Sequence, residues 1–279
     1  MKTKYLFGVM LMTIALASCS KVGYQVFEVN SSGLTQKNNL MVYENEDCTV
    51  SYNLWSENGS MGFVFENKTD KDIFLNMSQT FFIKNGQAYD YFQNRTYESR
   101  SYESVSVGYN FGVSKSYSYA AVGWDDVLYN LSKSYAVGKN VAAKAGLSSS
   151  VSVKESEFIC VPANSYKVIN GYRINPGYMK VCDKSLRNPK TEVTLESYSK
   201  DDTPLKFSNR IAYSFEKYNK SIKFINNDFW LTAIKNYSKK AATEKIKDTS
   251  RCKDEFDSYK TIFKIGAPNK FYVIYERAR

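Results

Sequence analysis

A mainly β chain, built as a sandwich and interrupted by an inserted Ser/Gly/Ala-rich arm, is what this sequence predicts. Three observations carry the expectation. Short apolar runs recur at intervals of about ten residues, separated by Asn, Gly, Asp and Pro, the pattern of strands joined by turns. Tyr (23) and Phe (17), which suit strands, are heavily used in the 279 residues. One segment, 94–156, departs from the rest, holding 14 Ser and no Pro.

The elements follow in order. Residues 24–29 (YQVFEV) alternate weakly. In 48–55 (CTVSYNLW), Val50, Tyr52 and Leu54 lie on one side and Thr49, Ser51 and Asn53 on the other, as in a half-buried strand. A turn at Glu57-Asn58-Gly59-Ser60 leads to 61–66 (MGFVFE), which is closed by the polar run from Asn67 to Asp72. After 73–77 (IFLNM), residues 80–92 carry Asn85-Gly86 between two apolar runs. Both residues accept the positive φ of a two-residue hairpin turn. Beyond the arm, EFICV, SYKVINGYRI, EVTLESY and NRIAYSF read as strands over 157–215, and all five prolines lie at or after Pro162. Residues 222–237 predict one more strand, 239–248 a short helix, and 270–277 (KFYVIYER) a strand that completes a sheet.

Within the arm, Val105, Val107, Tyr109, Phe111, Val113, Tyr117 and Tyr119 alternate with Ser, Gly and Asn, and only Lys115 breaks the apolar face. Asp125 to Ala145 has helical spacing, and 148–154 repeats a Ser-Val-Ser-Val pattern. The expectation is strand, short helix, strand, with 104–119 and 147–154 as a hairpin. The whole division is then 1–18, 19–93, 94–156 and 157–279, the sandwich being drawn from the second and fourth parts.

Composition excludes several chemistries. The chain has no His, so Ser-His-Asp and Cys-His mechanisms are closed to it, and metal sites lose their commonest nitrogen ligand. It contains neither a GxxxxGK[ST] loop nor GxGxxG. Asp125-Asp126 and Asp254-Glu255 are neighbours in sequence, which point apart on a strand or helix and make poor catalytic pairs. No catalytic residue, metal ligand or cofactor is read from the sequence. Of 38 Lys+Arg and 28 Asp+Glu, the last 80 residues hold 18 and 10, and residues 19–199 are neutral. Lys235, Lys239, Lys240, Lys245, Lys247 and Arg251 form the densest basic run. It reads as a solvated face or as a patch for anionic headgroups or acidic polysaccharide.

The first residues give an address. Lys2 and Lys4 precede an apolar run from Tyr5 to Leu16, too short for an ordinary membrane-spanning helix. Leu16-Ala17-Ser18-Cys19 resembles the lipobox of bacterial lipoproteins, in which the chain is cut before Cys and the thiol is lipidated. That resemblance implies a signal peptide over 1–18 and membrane attachment through acylated Cys19. Ser20 rather than Asp after the Cys points to the outer membrane by the sorting rule of such lipoproteins, with the leaflet left open. Four cysteines then remain and allow three pairings. Cys48 and Cys160 sit in apolar strand-like runs and read as buried thiols or as a pair; Cys182 and Cys252, in polar contexts, are the expected disulfide.

Beyond the leader, ENEDCTVSYNLW, GFVFENKTDKDIFLNMSQTFFIKNGQAYDY, PLKFSNRIAYSF, NNDFWLTAIKNY and NKFYVIYE resemble a group of functionally uncharacterised lipoproteins of Bacteroidetes. The likeness spans most of 22–92 and 157–279. It implies an exported β-rich protein and carries over no catalytic residue. The stretch 63–75 also resembles the strand–turn–strand of immunoglobulin-like sandwiches, which makes that sandwich the fold expected. The function expected first is a non-enzymatic envelope module that binds or assembles with a glycan or protein partner, and not with nucleic acid. Tyr91, Tyr97, Tyr102, Tyr109, Tyr117 and Tyr119 are candidate contact residues; Trp55, Trp124 and Trp230 read as core or edge. A membrane-perturbing hairpin at 104–119/147–154 stands as the alternative, and a carboxylate-dependent hydrolase ranks last.

Overall fold

The computed structural model describes residues 21–102, 148–218, 221–247 and 259–277. Strands dominate it. In chain order these are β1 (Lys21–Ser32), β2 (Thr35–Lys37), β3 (Leu40–Glu44), β4 (Cys48–Tyr52), β5 (Phe63–Asn67), β6 (Ile73–Asn76), β7 (Phe81–Lys84), β8 (Gln87–Asp90) and β9 (Thr96–Tyr102). Then come β10 (Ser148–Lys154), β11 (Phe158–Val161), β12 (Tyr166–Ile169), the one-turn helix α1 (Lys184–Arg187), β13 (Glu192–Ser197), β14 (Lys206–Ser214) and β15 (Lys223–Ser238). A second one-turn helix, α2 (Lys239–Ala242), precedes β16 (Thr243–Lys247), β17 (Tyr259–Phe263) and β18 (Lys270–Arg277).

The mainly β expectation is met, and every strand pair among the described residues is antiparallel. A nine-stranded sheet runs β11-β6-β14-β15-β1-β18, with β13 also on β15 and the β7–β8 hairpin on β14. A five-stranded sheet runs β12-β5-β4-β3-β2. Strands from both sides of the 94–156 segment enter both sheets. Strands β2 to β5 follow one another in the smaller sheet.

The two sheets bury a common core, and strand alternation explains which residues fill it. In β4, Cys48, Val50 and Tyr52 are buried while Thr49 and Ser51 are half-exposed. In β15, odd positions from Ile225 to Leu231 point inward and even positions outward. Aromatic rings bridge the layers. Tyr52 of the smaller sheet meets Phe229 of the larger edge-on at 5.4 Å, and Phe229 stacks on Phe207 at 5.2 Å. Two phenols of this core pair with amide oxygens: Tyr52 donates to Asn227 Oδ1 (2.8 Å), and Tyr91 to Asn209 Oδ1 (3.0 Å). Burial pushes both phenols up, so they stay neutral donors.

Several local expectations needed correction. The strand expected over 165–174 stops at Ile169, because Gly171 crosses the backbone of Met61 and Gly62; a Cβ there would lie 2.2 Å from Gly62 N. The expected helix over 239–248 is a single turn followed by β16, which pairs with β17. Strands β2 and β3 had no counterpart in the sequence reading. In the arm, β10 matches the expected 148–154 and pairs with β9, from Tyr102↔Ser148 to Thr96↔Lys154. Residues 103–147, including the alternating stretch, lie outside the described residues. A clamp closes the base of the hairpin: Arg95 reaches Glu155 at 2.7 Å, and Glu155 also accepts from the Gln93 and Arg95 amides.

On the outer face of the larger sheet, Glu28 lies between Lys270 (2.9 Å) and Lys235 (3.2 Å). Burial works to raise the Glu28 carboxyl, and the hydrogen bonds and charges of the two lysines together outweigh it, holding the group below its usual range. A folded pKa below the unfolded one gives stability that is present above the unfolded value and lost as pH falls through the folded value. Glu28→Gln is therefore expected to be less stable than wild type at pH 7, with the gap closing below about pH 4. Urea midpoints of both proteins at neutral and acid pH measure this, and a gap of constant size would contradict it.

Candidate functional site

The site is built where β15 changes partners. Up to Trp230, β15 pairs with β14 in the register Lys206↔Trp230, Ser208↔Asp228 and Arg210↔Asn226. From Ala233 it pairs with β13. Between the two, Thr232 is an extra residue opposite β1, where the register slips between Glu28 and Val29. The bulge holds the ends of the β13–β14 connection: Tyr198 N donates to Thr232 O (2.8 Å), and Leu231 N to Leu205 O (3.0 Å). The segment between them, 199–204, projects from the seam, tied internally by Ser199 Oγ to Asp202 Oδ1 (2.7 Å). That hydrogen bond holds the Asp202 carboxyl below its usual range.

The opposite wall is the β7–β8 turn. Asn85 (φ 48°) and Gly86 (φ 85°) both take the left-handed backbone that the Asn-Gly pair predicts. Asn85 staples the turn to the sheet. Its Nδ2 donates to Pro204 O (3.1 Å), and its Oδ1 accepts from Lys206 N (2.8 Å). Between the walls lies an open cleft of about 230 Å³. Ser208, Asp228 and Trp230 form its floor over Phe207 and Phe229 of the core, and Lys200, Asp201 and Lys206 stand at its sides.

Its chemistry is mixed. Trp230 is half-buried, and Lys200 Nζ lies 4.9 Å from its ring centroid. Asp201, Asp228 and Lys206 are exposed, and their side chains make no hydrogen bond or ion pair among the described residues. Of the four charged side chains lining the cleft, Lys200 is engaged with the indole and the other three are left without such partners. The Trp230 reading as core or edge is corrected here: its side chain takes the outward face of β15. The signal was present, since Trp230 shares its parity with Asn226 and Asp228 rather than with buried Phe229 and Leu231.

The residues singled out from sequence fall elsewhere. Cys19, Cys252 and Arg251 lie outside the described residues. Cys182 is exposed, and among the described residues Cys48, Cys160 and Cys182 form no disulfide with one another; the expected Cys182–Cys252 pair involves a residue outside them. Burial, with Asp47 beside it, pushes the Cys48 thiol up to about 12; burial and Asp72 raise that of Cys160. Neither is a thiolate nucleophile. The basic run is divided. Lys235 is held between Glu28 and Glu192 (3.8 Å), whereas Lys239 and Lys240 on α2 and Lys245 and Lys247 on β16 are exposed. Tyr91 is a core residue rather than a contact tyrosine, buried and bonded to Met61 O and Asn209. The other candidate tyrosines belong to the arm.

Fold and site together define an antiparallel β protein, built on two main sheets, with an open polar and aromatic cleft on the outside of the larger one. No protein-family model, curated protein or solved structure matches the chain. Among the described residues, no helix is long and apolar enough to cross a membrane, and no three His, Cys, Asp or Glu side chains are grouped to hold a metal ion.

Proposed function

We propose that this chain is a lipid-anchored protein of the bacterial envelope, attached to the outer membrane through Cys19, and that it works as a binding module rather than an enzyme. The observation that carries the binding role is the cleft at the β15 bulge. There a half-buried indole is held on the sheet beside Lys206 and Asp228, two charged side chains that make no hydrogen bond or ion pair among the described residues. Binding sites combine an apolar surface with a few convergent polar groups, and such groups are more accurately placed on strands than on loops. Support for the anchor is the order of Lys2, Lys4, the apolar run and Leu16-Ala17-Ser18-Cys19.

Two measurements test the two halves. Metabolic labelling with radioactive palmitate should mark the wild-type protein and not Cys19→Ala, and the variant should leave the outer-membrane fraction. Equal labelling would refute the anchor. The full chain in detergent should be retained on one immobilised envelope fraction (peptidoglycan, glycolipid or outer-membrane protein). Trp230→Ala should weaken that retention at least about tenfold, the loss of roughly 1.4 kcal/mol. Equal retention of both proteins on every fraction would remove the cleft as the binding site.

A further inference from the structure

The charge balance and shape of the cleft narrow what it can bind. Its lining holds two ammonium groups, Lys200 and Lys206, and two carboxylates, Asp201 and Asp228, so it offers no net charge to a ligand. A site selecting a polyanion or polycation would be lined with one sign. The carboxylates accept hydrogen bonds only and the ammoniums donate only, while Ser208 Oγ does both. A ligand that satisfies such a set presents groups that each donate and accept at close spacing, as neighbouring hydroxyls do. The indole supplies a flat apolar surface beside them. At about 230 Å³ the cleft is smaller than the roughly 300–1,000 Å³ that encloses a free drug-sized ligand, and it is open to solvent.

The polar groups are also laid out in a row. Lys206 faces Trp230 across the β14–β15 pair, and Ser208 faces Asp228 two residues along. Successive outward positions on a strand lie about 7 Å apart. The row continues with Arg210, whose guanidinium lies 4.3 Å from the ring centroid of the exposed Phe224. The outer face of β14 and β15 therefore carries an aromatic ring near each end and polar groups between, on a surface about 20 Å long.

We infer that this face binds a neutral saccharide chain, one sugar ring seated in the cleft against Trp230 with its hydroxyls on Asp228, Ser208 and Lys206. The inference rests on the reading of the cleft as the binding site and names its ligand class. A zwitterionic peptide would meet the two signs of charge but leave the indole and the Ser208 hydroxyl without use.

Calorimetric titration of the full chain in detergent tests this with three panels. These are neutral trisaccharides (gluco-, manno-, xylo- and chito-configured), sulfated or uronate trisaccharides, and zwitterionic dipeptides. At least one neutral trisaccharide should bind, with affinity unchanged between about 0.05 and about 0.5 M salt, since no net charge is neutralised. Trp230→Ala and Asp228→Asn should each weaken it at least about tenfold. Asp228 is exposed and its side chain makes no hydrogen bond or ion pair among the described residues, so its variant reports on binding even if the tryptophan variant is unstable. Binding confined to the anionic panel or the dipeptides, or no binding by any neutral trisaccharide, overturns the inference. If Trp230-dependent retention on an envelope fraction persists in that case, the cleft remains the binding site and only the ligand class is wrong.

Discussion

Phe229→Ala should cost about 3–5 kcal/mol of folding stability, the usual penalty for truncating a fully buried aromatic residue. Phe229 is 1% exposed and sits at the centre of a chain of rings that joins the two sheets. It meets Tyr52 at 5.4 Å with the rings at 78°, and lies nearly parallel to Phe207 at 5.2 Å. Phe207 in turn stands edge-on to Phe271 (6.4 Å), which stacks on Phe27 (5.2 Å). Removing the middle ring leaves a cavity between Tyr52 and Phe207. It also loosens the seat of Tyr52, whose hydroxyl donates to Asn227 Oδ1 in the core. The loss is expected in the urea midpoint with little change in slope, because the surface exposed on unfolding is nearly the same. Phe224→Ala, on the outer face of the same strand, should cost much less, because Phe224 is already 43% exposed. If the two variants were equally stable, the sheets would not be joined through this ring.

The contrast between Phe229 and Phe224 also shows what the sequence could and could not disclose. Alternation separates inward from outward positions wherever one face is buried, which is why 48–55 was legible as a strand. Asn85-Gly86 was legible for a different reason: its backbone conformation is local and needs no partner. The cleft was not legible. Its residues come from 83–86, 200–208 and 228–230, and they meet only because β15 exchanges β14 for β13 at Thr232. A bulge of this kind is a property of pairing, and pairing register is not encoded in a single strand. The basic run failed for a related reason. Lys235 looked continuous with Lys239 and Lys240, but strand parity sends it to Glu28 and the turn sends the others to solvent. The outward row of β15 carried a readable hint in Trp230, a large aromatic residue on the polar parity of its strand.

Asn67→Asp should destabilise the protein more than Asn67→Ala at pH 7, although it is nearly isosteric, and acid should partly restore it. In sequence Asn67 opens the polar run 67–72 and reads as a turn residue. In the fold it is 1% exposed and is the hub at one end of the sandwich. Its Nδ2 donates to Lys71 O (2.7 Å), Val161 O (3.0 Å) and Pro162 O (3.1 Å). Its Oδ1 accepts from Thr69 N (2.9 Å) and Thr69 Oγ1 (2.8 Å). One amide thus ties the end of β5, the turn before β6 and the end of β11. Alanine deletes these bonds and leaves buried groups unpaired, at a cost of about 3 kcal/mol. Aspartate replaces the donor with a second acceptor aimed at three carbonyl oxygens, so the charged form is repelled as well as unpaired. A proton on that oxygen restores one donor. The carboxyl pKa in the folded variant therefore lies above the unfolded value of about 3.9. The folded state then binds more protons than the unfolded one between the two values, so stability rises as pH falls through that window. Denaturant midpoints of the wild type, Asn67→Ala and Asn67→Asp at pH 7 and near pH 4 give the comparison. The aspartate variant should be the least stable of the three at pH 7, and its deficit relative to the alanine variant should narrow in acid. Equal stability of the two variants at both pH values would mean that the three carbonyls do not depend on this donor, and that β5 and β11 are held by their strand partners alone.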